Sequence, residues 1–358
     1  MTQSVFRMHV LAAGHGDCLW VDYGDPAAPT RILVDAGTVG TLKRLRPALN
    51  LVRGSIPSHE LLIVTHIDAD HIGGALALLE DQPLASQFKQ IWFNGRAHLV
   101  QASALQSLGA VQGERLTEAL TGMPGRWNAS MAGAPVMTTS VGPLPTFTFG
   151  PAKVTVLSPE PAQLANLLPV WNNEVRAAGL VAAAKARTPT PPPLGWQAFG
   201  AINVAALAGK SVAPDTAKAN GSSIALLVKF KRRRLLLGAD AHPDVLLRGI
   251  RRISPNAPLK VDVWKLAHHG SAANLTPALL AAVKAKTIVF SSNGAYFRHP
   301  DQIAVAQVLQ HYQSSGVHLV FNYKTQYNQM WDSPALKKQW NYTTCYGVGQ
   351  AGTTVTLL

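Results

Sequence analysis

Residues 61–74 read LLIVTHIDADHIGG, an apolar run that leads directly into four side chains of the metal-ligand type. The run at 61–65 has the length and aliphatic content of a strand that is buried on both faces. The four ligand-type residues are His66, Asp68, Asp70 and His71. Imidazole and carboxylate groups bind zinc and manganese, and their alternating spacing can supply two ions. The stretch therefore predicts a buried strand that ends at a metal site.

These four residues are predicted to lie in a loop. On a helix, His66 and Asp70 would share a face while Asp68 pointed away, so a loop can turn all of them inward more easily. We expect a helix to begin at Ile72, with the glycines after it allowing close packing against the site.

Further ligand-type residues follow two later strands. Asp240 comes shortly after the apolar run at 235–237, and a carboxylate at this place has two oxygens with which to bridge two cations. His268 and His269 directly follow the predicted strand at 261–267. Because these groups complement the first set, the sequence predicts one site for two divalent ions, zinc or manganese.

Two acidic residues near the amino terminus are expected to support this site. Asp35 ends the apolar run 32–34, and such a carboxylate is better suited to orienting ligands than to binding metal itself. Asp17 lies with His15 in a turn that glycines bracket. For Asp17 and His15 the alternative is an ordinary role in the turn.

The chain is strongly basic. Lysine and arginine number 32 against 19 acidic residues, which gives a formal net charge of +13 over 358 residues. This balance predicts nucleic acid as a partner, with a merely basic surface as the alternative. Arg232 and Arg233 lie in a basic run, 231–234, that either binds phosphates or forms a solvated hairpin tip.

The two cysteines, Cys18 and Cys345, are far apart in sequence. They exclude a disulfide framework and a cysteine metal cage, and a reducing cytosol suits them. No signal peptide is recognisable at the amino terminus, and no uncharged apolar run approaches the roughly 20 residues that span a bilayer. We therefore expect a soluble, cytoplasmic protein with no membrane partner; a protein partner is possible but cannot be read from the sequence.

The pattern of apolar residues favours one domain over 1–358, with an insertion at about 96–219 and a carboxyl-terminal extension at about 322–358. A proline-rich segment at 188–193 is typical of an extended linker. Strands are predicted at 5–12, 18–23, 31–35, 61–65, 90–93, 153–157, 224–230, 234–237, 261–267, 286–291 and 317–321. Helices are predicted at 41–50, 72–79, 100–108, 113–121, 163–185, 243–253 and 301–312.

Taken together, these motifs resemble the metallo-β-lactamase superfamily, and most closely its competence-type, ComEC-like branch. The set comprises His66-x-Asp68-x-Asp70-His71, Asp240 and the run HHGS at 268–271. The segment GHGDC at 14–18 is similar to GQGDS of that branch, and ILVDAG at 32–37 is similar to LIDAG. NGSS at 220–223 resembles its Asn/Ser-rich strand start, and Arg298-His299-Pro300 resembles its late HP element. The likeness covers about 1–95 and 220–312.

The resemblance implies a mixed α/β fold, a four-layer αββα sandwich with two metal ions at the edge between its sheets. By the same resemblance His66 and Asp68 hold one ion, Asp70, His71 and His269 hold the other, and Asp240 bridges them. Asp68 departs from the usual family pattern, which has histidine there, and a separate middle histidine is replaced most nearly by Asn220. An oxygen-richer site of this kind favours manganese.

Two cations at one site generate hydroxide near neutral pH and neutralise charge on a phosphoryl oxygen, so phosphodiester hydrolysis of nucleic acid is the expected reaction. Asp70, His299 and Asn293 are expected to act in catalysis, with His299 contacting the phosphate or protonating the leaving oxygen. The alternative for His299 is that it caps the helix after Pro300. The residues expected to contact substrate are Asn220, Ser222, Ser271, Arg232 and Arg233.

Two other classes of function remain open. One is a small-molecule phosphoester or lactone hydrolase with a closed pocket, covered by the 96–219 region. The other is a sensor or partner-activated subunit of a bacterial defence or DNA-uptake system.

Overall fold

The structure, a computed structural model, describes residues 4–53, 59–103, 111–123, 125–139, 141–180 and 202–358. Within this part of the chain, the strands are β1 (Val5–Val10), β2 (Leu19–Asp25), β3 (Ala28–Val34), β4 (His59–Ile63), β5 (Phe88–Trp92), β6 (Thr146–Phe149), β7 (Ala152–Ser158), β8 (Ala225–Phe230), β9 (Arg233–Leu237), β10 (Leu259–Lys265), β11 (Val283–Phe290), β12 (Val317–Phe321), β13 (Tyr342–Tyr346) and β14 (Thr353–Thr356).

The helices of the same residues are α1 (Leu42–Arg53), α2 (Ala69–Glu80), α3 (Gln82–Ala85), α4 (Arg96–Ser103), α5 (Val111–Thr121), α6 (Pro161–Leu180), α7 (Val204–Ala208), α8 (Lys218–Gly221), α9 (Pro243–Ile253), α10 (Pro277–Ala281), α11 (Gln302–Tyr312) and α12 (Pro334–Trp340). None of the helices described is long and apolar enough to cross a membrane. The proline-rich segment at 188–193 and the predicted helical residues 104–108 and 181–185 lie outside the described residues.

The strands form two sheets. The first has the order β14-β1-β2-β3-β4-β5, and the second has the order β13-β12-β11-β10-β9-β8-β7-β6. In the first sheet β3, β4 and β5 are parallel, and in the second sheet β9 to β13 are parallel. The remaining neighbours are antiparallel.

Three groups of buried apolar side chains stack these elements into four layers. The middle group lies between the sheets and joins, for example, Ile32 and Leu61 of the first sheet to Leu235 and Val263 of the second. A second group packs the first sheet against α2, α5 and α6, and a third packs the second sheet against α9, α10 and α11. The predicted αββα architecture is therefore confirmed as a mixed α/β sandwich.

The parallel strands of the two sheets lead to the segments that hold the predicted site residues. In the first sheet β3 is followed by Asp35 and β4 by His66, while in the second sheet β9 leads to Asp240 and β10 to the histidine pair. All of these residues follow the carboxyl ends of parallel strands, where the loops of α/β proteins most often form binding sites.

One local prediction about the site is wrong. The helix after β4 begins at Ala69 rather than at Ile72, so Asp70 and His71 belong to its first turn and are not in a loop. Asp68 occupies the N-cap position with an extended backbone. The helix can begin at Ala69 because His66 lies before it, in the connection from β4. Asp70 and His71 therefore do not have to share a helical face with His66.

The sheets also include parts of the chain that were predicted to be an insertion or a carboxyl-terminal extension. β6 and β7 fall within the predicted 96–219 insertion and form one edge of the second sheet. β13 and β14 follow residue 322, and each forms the edge of one sheet. Both regions therefore contribute strands to the sandwich.

Candidate metal centre

Side chains from both sheets converge on Asp240. Four imidazole Nε2 atoms surround its Oδ2 atom, at 3.5 Å for His71, 3.8 Å for His268 and 3.9 Å for His66 and His269. Asp240 and three of these histidines are buried, and the side chain of His268 is mostly so. One carboxylate thus lies at the centre of four potential metal ligands.

The ligand-type groups fall into two overlapping sets. His66, His71 and Asp240 form one set, and Asp70, His71 and His269 form the other, with the ligand atoms of each set within 4.8 Å of one another. The Oδ2 atom of Asp70 lies 3.3 Å from Nε2 of His269 and 3.9 Å from Nε2 of His71. The described residues include a third such set, which consists of Asp17, Asp35 and His71. Asp35 contacts Nδ1 of His71, the ring nitrogen that points away from Asp240.

The hydrogen bonds of the imidazoles fix which nitrogen faces Asp240. Nδ1 of His269 lies 2.8 Å from the carbonyl oxygen of Ser291, which can only accept, so this nitrogen carries the proton. Nδ1 of His71 lies 2.8 Å from Oδ2 of Asp35, a carboxylate that also accepts. In the neutral ring, each Nε2 atom therefore presents a lone pair to the centre.

The same arrangement holds for the other two imidazoles. Thr65 donates its hydroxyl to Asp35, so the Thr65 oxygen accepts from Nδ1 of His66 at 3.0 Å. Nδ1 of His268 lies 3.0 Å from Oδ1 of Asn274 and 3.5 Å from Oδ2 of Asp215. Histidines that bind metals are commonly held in this way through the nitrogen that does not bind.

The residues fit divalent cations. The Nε2 atoms of His66, His71 and His269 and the Oδ1 atom of Asp240 are buried and have no hydrogen-bond partner among the described residues. Buried polar atoms are nearly always satisfied, so three unpaired imidazole nitrogens beside an unpaired oxygen of Asp240 indicate a bound partner. Imidazole nitrogens and carboxylate oxygens are the donor set that zinc, manganese and iron accept.

The electrostatics of the centre favour positive charge. Burial alone would lower the pKa of His71, but Asp240, Asp35 and Asp70 outweigh it and raise this pKa well above its usual range. Burial likewise opposes ionisation of Asp240, yet His71, His268 and His269 hold its pKa well below the usual value. Divalent ions supply the same positive charge as protons on the imidazoles, and the two compete for these nitrogens.

Asp17 acts on the centre through His269. Its Oδ1 atom lies 3.3 Å from Nδ1 of His269 and accepts a hydrogen bond from the hydroxyl of Ser291. Its other oxygen accepts from the ammonium group of Lys265, which is also fully buried. Burial alone would raise the pKa of Asp17, but Lys265 and His269 lower it below its usual range.

Left-handed backbone conformations cluster around the centre. Asp35, Ala239, His268 and His269 have φ values of 55°, 46°, 48° and 55°. Such conformations are costly for residues other than glycine and tend to occur at functional sites. Close approach is also needed at Gly16, where an added Cβ would lie 1.8 Å from the carbonyl oxygen of Asp70.

The structure places the remaining predicted site residues at varying distances from the centre. Asp68 lies at its border, with its Oδ2 atom 3.6 Å from Nε2 of His66 and its side chain 43% exposed. The ring of His299 lies 5.3 Å from that of His268, and its Nδ1 atom is 3.0 Å from Asp301. His299 therefore faces the histidine cluster and does not cap the following helix.

Other predicted contacts with substrate have roles within the protein. Asn220 donates to Asp215 at 2.7 Å, and Ser222 donates to the carbonyl oxygen of Ala219 at 2.6 Å. Ser271 caps a short helical turn by accepting from Ala273 at 3.3 Å. Asn293 forms a turn within its own loop, where its side chain accepts from Ala295 at 2.9 Å.

Arg232 and Arg233 are not brought to the metal centre. They lie at the hairpin that joins β8 and β9, whereas Asp240 follows the opposite end of β9. Arg233 is paired with Asp262 at 2.9 Å.

The sequence did not indicate several residues near the centre. Asp215 and Asn274 hold His268, but Asp215 lies in a region that was predicted to be an insertion. Lys265 lies at the end of a strand, where its partner could not be identified from the pattern. An aromatic rim consists of His15, Tyr296 and Phe297. A search of the sequence between Asn293 and His299 for aromatic residues would have found the last two.

The aromatic rim adjoins the histidine cluster. The rings of His15 and Tyr296 stack at 5.3 Å, and the ring of Phe297 lies 5.8 Å from His299 and 6.3 Å from His268. Tyr296 and Phe297 are 40% and 48% exposed. The centre is therefore bordered by accessible aromatic surface.

Comparison with known proteins gives a match at the level of the fold. The model of the Metallo-beta-lactamase superfamily matches residues 14–86. The metallo-beta-lactamase fold protein YhfI from Bacillus subtilis aligns with a TM-score of 0.40 and 11% identity, over 99% of this chain and 100% of that chain. Zn²⁺-bound PqqB from Methylobacterium extorquens aligns with a TM-score of 0.41 and 11% identity, over 98% and 99%.

CmlA, a diiron beta-hydroxylase from Streptomyces venezuelae, aligns with a TM-score of 0.41 and 14% identity, over 100% of this chain and 54% of that chain. No curated protein matches the chain. The competence-type branch stays a prediction. The match at residues 14–86 and the two sheets with outer helices support a metallo-β-lactamase superfamily fold for this chain.

Proposed function

We propose that this chain is a metal-dependent hydrolase that cleaves phosphodiester bonds, with nucleic acid as its substrate class. The observation that carries the proposal is the position of Asp240 among four imidazole Nε2 atoms, three of them buried without a hydrogen-bond partner in the described part of the chain. A bridging carboxylate of this kind suits two divalent ions. The net charge of +13 supports a polyanionic substrate.

The ligands would divide into two groups that share Asp240. His66, Asp68 and His268 would hold one ion, and Asp70, His71 and His269 would hold the other. Zinc or manganese, once bound, supplies Lewis acidity and lowers the pKa of bound water.

The other residues of the centre position these ligands. Asp35, Asp17 and Asp215 keep protons on the Nδ1 atoms and so direct the Nε2 lone pairs inward. Asp301 holds His299 by its Nδ1 atom, which leaves Nε2 of His299 available to a substrate oxygen.

The test combines metal content with turnover. Asp240→Ala should lose nearly all bound metal in elemental analysis and lose hydrolysis of bis-p-nitrophenyl phosphate assayed with manganese and zinc in turn. Asp25→Ala is the control, because Asp25 is the exposed last residue of β2, where its side chain accepts from Ala27 of the adjoining turn. Full metal content and turnover in Asp240→Ala would contradict the proposal.

The aromatic rim favours a second candidate, a hydrolase of small esters. Accessible Tyr296 and Phe297 beside the centre could hold the organic group of a small phosphoester or lactone. Tyr296→Ala should then raise KM for a small aromatic phosphodiester, and oligonucleotides should be poor substrates. Efficient cleavage of oligonucleotides, with little effect of Tyr296→Ala, would instead support nucleic acid as the substrate.

A further inference from the structure

Away from the metal centre, the second sheet carries a concentration of cations. Lys153, Lys229 and Arg234 lie side by side in register on β7, β8 and β9. Lys260 and Lys284 are likewise in register on β10 and β11. Together with Arg232 at the hairpin between β8 and β9, these residues form a surface that we call the basic face.

Within the described residues, most of these cations have no ion-pair partner. Lys153, Lys229, Arg232, Lys260 and Lys284 are exposed, and none forms an ion pair with a described residue. Like charges that lie opposite each other on neighbouring strands destabilise a sheet. Lys153 beside Lys229, and Lys260 beside Lys284, are two such pairs. A bound polyanion would relieve this repulsion.

Acidic groups do little to neutralise the basic face. Of the residues that the structure describes, Asp262 is the single acidic one lining a concavity of about 440 Å³ that contains Lys229, Arg232 and Lys260. Its carboxylate is already bound by Arg233 at 2.9 Å and by Lys286 at 2.8 Å. An adjoining concavity of about 490 Å³ shares Lys260 with the first and adds Lys284. The charge is therefore spread over two neighbouring hollows and does not converge on one point.

We propose that the basic face binds the sugar-phosphate backbone of nucleic acid. All of these cations except the half-buried Arg234 are exposed, and they follow one another across strands spaced about 4.8 Å apart, an arrangement that suits a row of phosphates better than one small anion. Most are lysines, which act as point charges without the planar fork that arginine uses for specific recognition. Contacts of this type hold a nucleic acid without reading its sequence.

The basic face and the metal centre lie at opposite ends of the same strands. Lys260 is at the start of β10, and His268 follows it by eight residues. At roughly 3.3 Å per residue this separates them by about 25 Å. Phosphates follow one another every 3.4 Å or so along each strand of duplex, so about seven base pairs are needed to span the distance.

This geometry has a consequence for the substrate, which rests on the proposed function. Nucleic acids longer than about seven base pairs can contact the basic face while one phosphate lies at the metal centre. Shorter ones can reach only one of the two. Binding to the basic face itself does not require the metal centre to be active.

The test is binding of two fluorescein-labelled DNAs, a duplex of 30 base pairs and a hairpin whose duplex stem has 5 base pairs, followed by anisotropy in EDTA so that no cleavage occurs. The wild-type protein should bind the longer duplex with log affinity falling linearly as log salt rises. Lys260→Glu/Lys284→Glu should weaken binding at least tenfold and flatten the slope by about 1.8, since each lost phosphate contact removes about 0.9. Both side chains are exposed, so the fold should be unaffected.

Lys43→Glu/Lys210→Glu is the matched control, because it makes the same change in charge at exposed positions outside the basic face. Equal loss of affinity in the two variants, or a flat salt dependence in the wild type, would overturn the proposal. So would binding to anionic phospholipid vesicles, lost in Lys260→Glu/Lys284→Glu, without binding to either duplex. If the longer duplex binds as expected but no nucleic acid is hydrolysed, the proposed hydrolysis is contradicted, while binding of nucleic acid by the basic face is supported.

Discussion

The buried ion pair between Asp17 and Lys265 shows how a single residue can support the centre from outside it. Both side chains are almost fully buried, and Asp17 also contacts His269. Removing the ammonium group would leave a carboxylate charge in the interior without its strongest partner. Breaking a buried pair in this way is far more costly than replacing both members.

We expect Lys265→Met to lower the free energy of unfolding by about 3–5 kcal/mol. The double variant Asp17→Asn/Lys265→Met should recover part of this loss, because neither charge remains. Urea unfolding of the two single variants and the double variant gives the coupling energy. Additive effects of the two substitutions would show that the ion pair does not matter for stability.

The predictability of the site at this scale differs between residues. His66, Asp70, His71, Asp240 and His269 could be identified because each follows an apolar run or lies in a compact motif. Asp215 and Lys265 could not, since their contacts with His268 and Asp17 join residues distant in sequence and depend on how the two sheets pack. Nothing in the local pattern of either residue signals its partner.

At the scale of elements, the first sheet contains a cross-strand charge cluster away from the metal centre. Asp22 of β2 lies in register with Arg7 of β1 and Arg31 of β3, and both arginines bind its buried carboxylate. Burial alone would raise the pKa of Asp22. Hydrogen bonds from His9, Arg31 and Arg7 outweigh it and lower this pKa to about 2.

A lowered pKa means that the folded state favours the charged form of Asp22. Its contribution should be fully present above pH 3.8, the ordinary value, and be lost as the pH falls towards 2. Asp22→Asn should therefore reduce the free energy of unfolding by about 2 kcal/mol at pH 7. The difference from wild type should shrink in urea titrations as the pH approaches 2. A constant difference across this range would exclude the ionic contribution.

The secondary-structure elements also show where the pattern of apolar residues predicts an element correctly and where it does not. The strands that lead to Asp35, His66 and Asp240 were predictable because their apolar runs are bounded by glycine and polar residues. The start of α2 was predicted three residues too late, since His71 and Asp70 are polar and yet turn towards the core. Ligand chemistry there overrides the apolar pattern on which the boundary depends.

At the scale of the whole molecule, the sandwich is completed by segments distant in sequence. β14 pairs with β1 at the edge of the first sheet, with Met8 opposite Val355. β13 forms the outer edge of the second sheet beside β12. These strands are short and rich in threonine, so their pattern alone does not distinguish them from an extension outside the sheets.

The last prediction concerns this completion of the first sheet. Val355 and Leu357 are buried in the apolar layer between the sheets, while Thr356 between them is exposed. Val355→Ala/Leu357→Ala should lower the free energy of unfolding by about 3–5 kcal/mol, because it removes buried methyl groups from that layer. Loosening β14 would also expose the edge of β1, and an unprotected edge promotes association. Urea unfolding and light scattering measure the two effects. Thr356→Ala is the control, and an equal effect from it would contradict the assignment of β14 to the core.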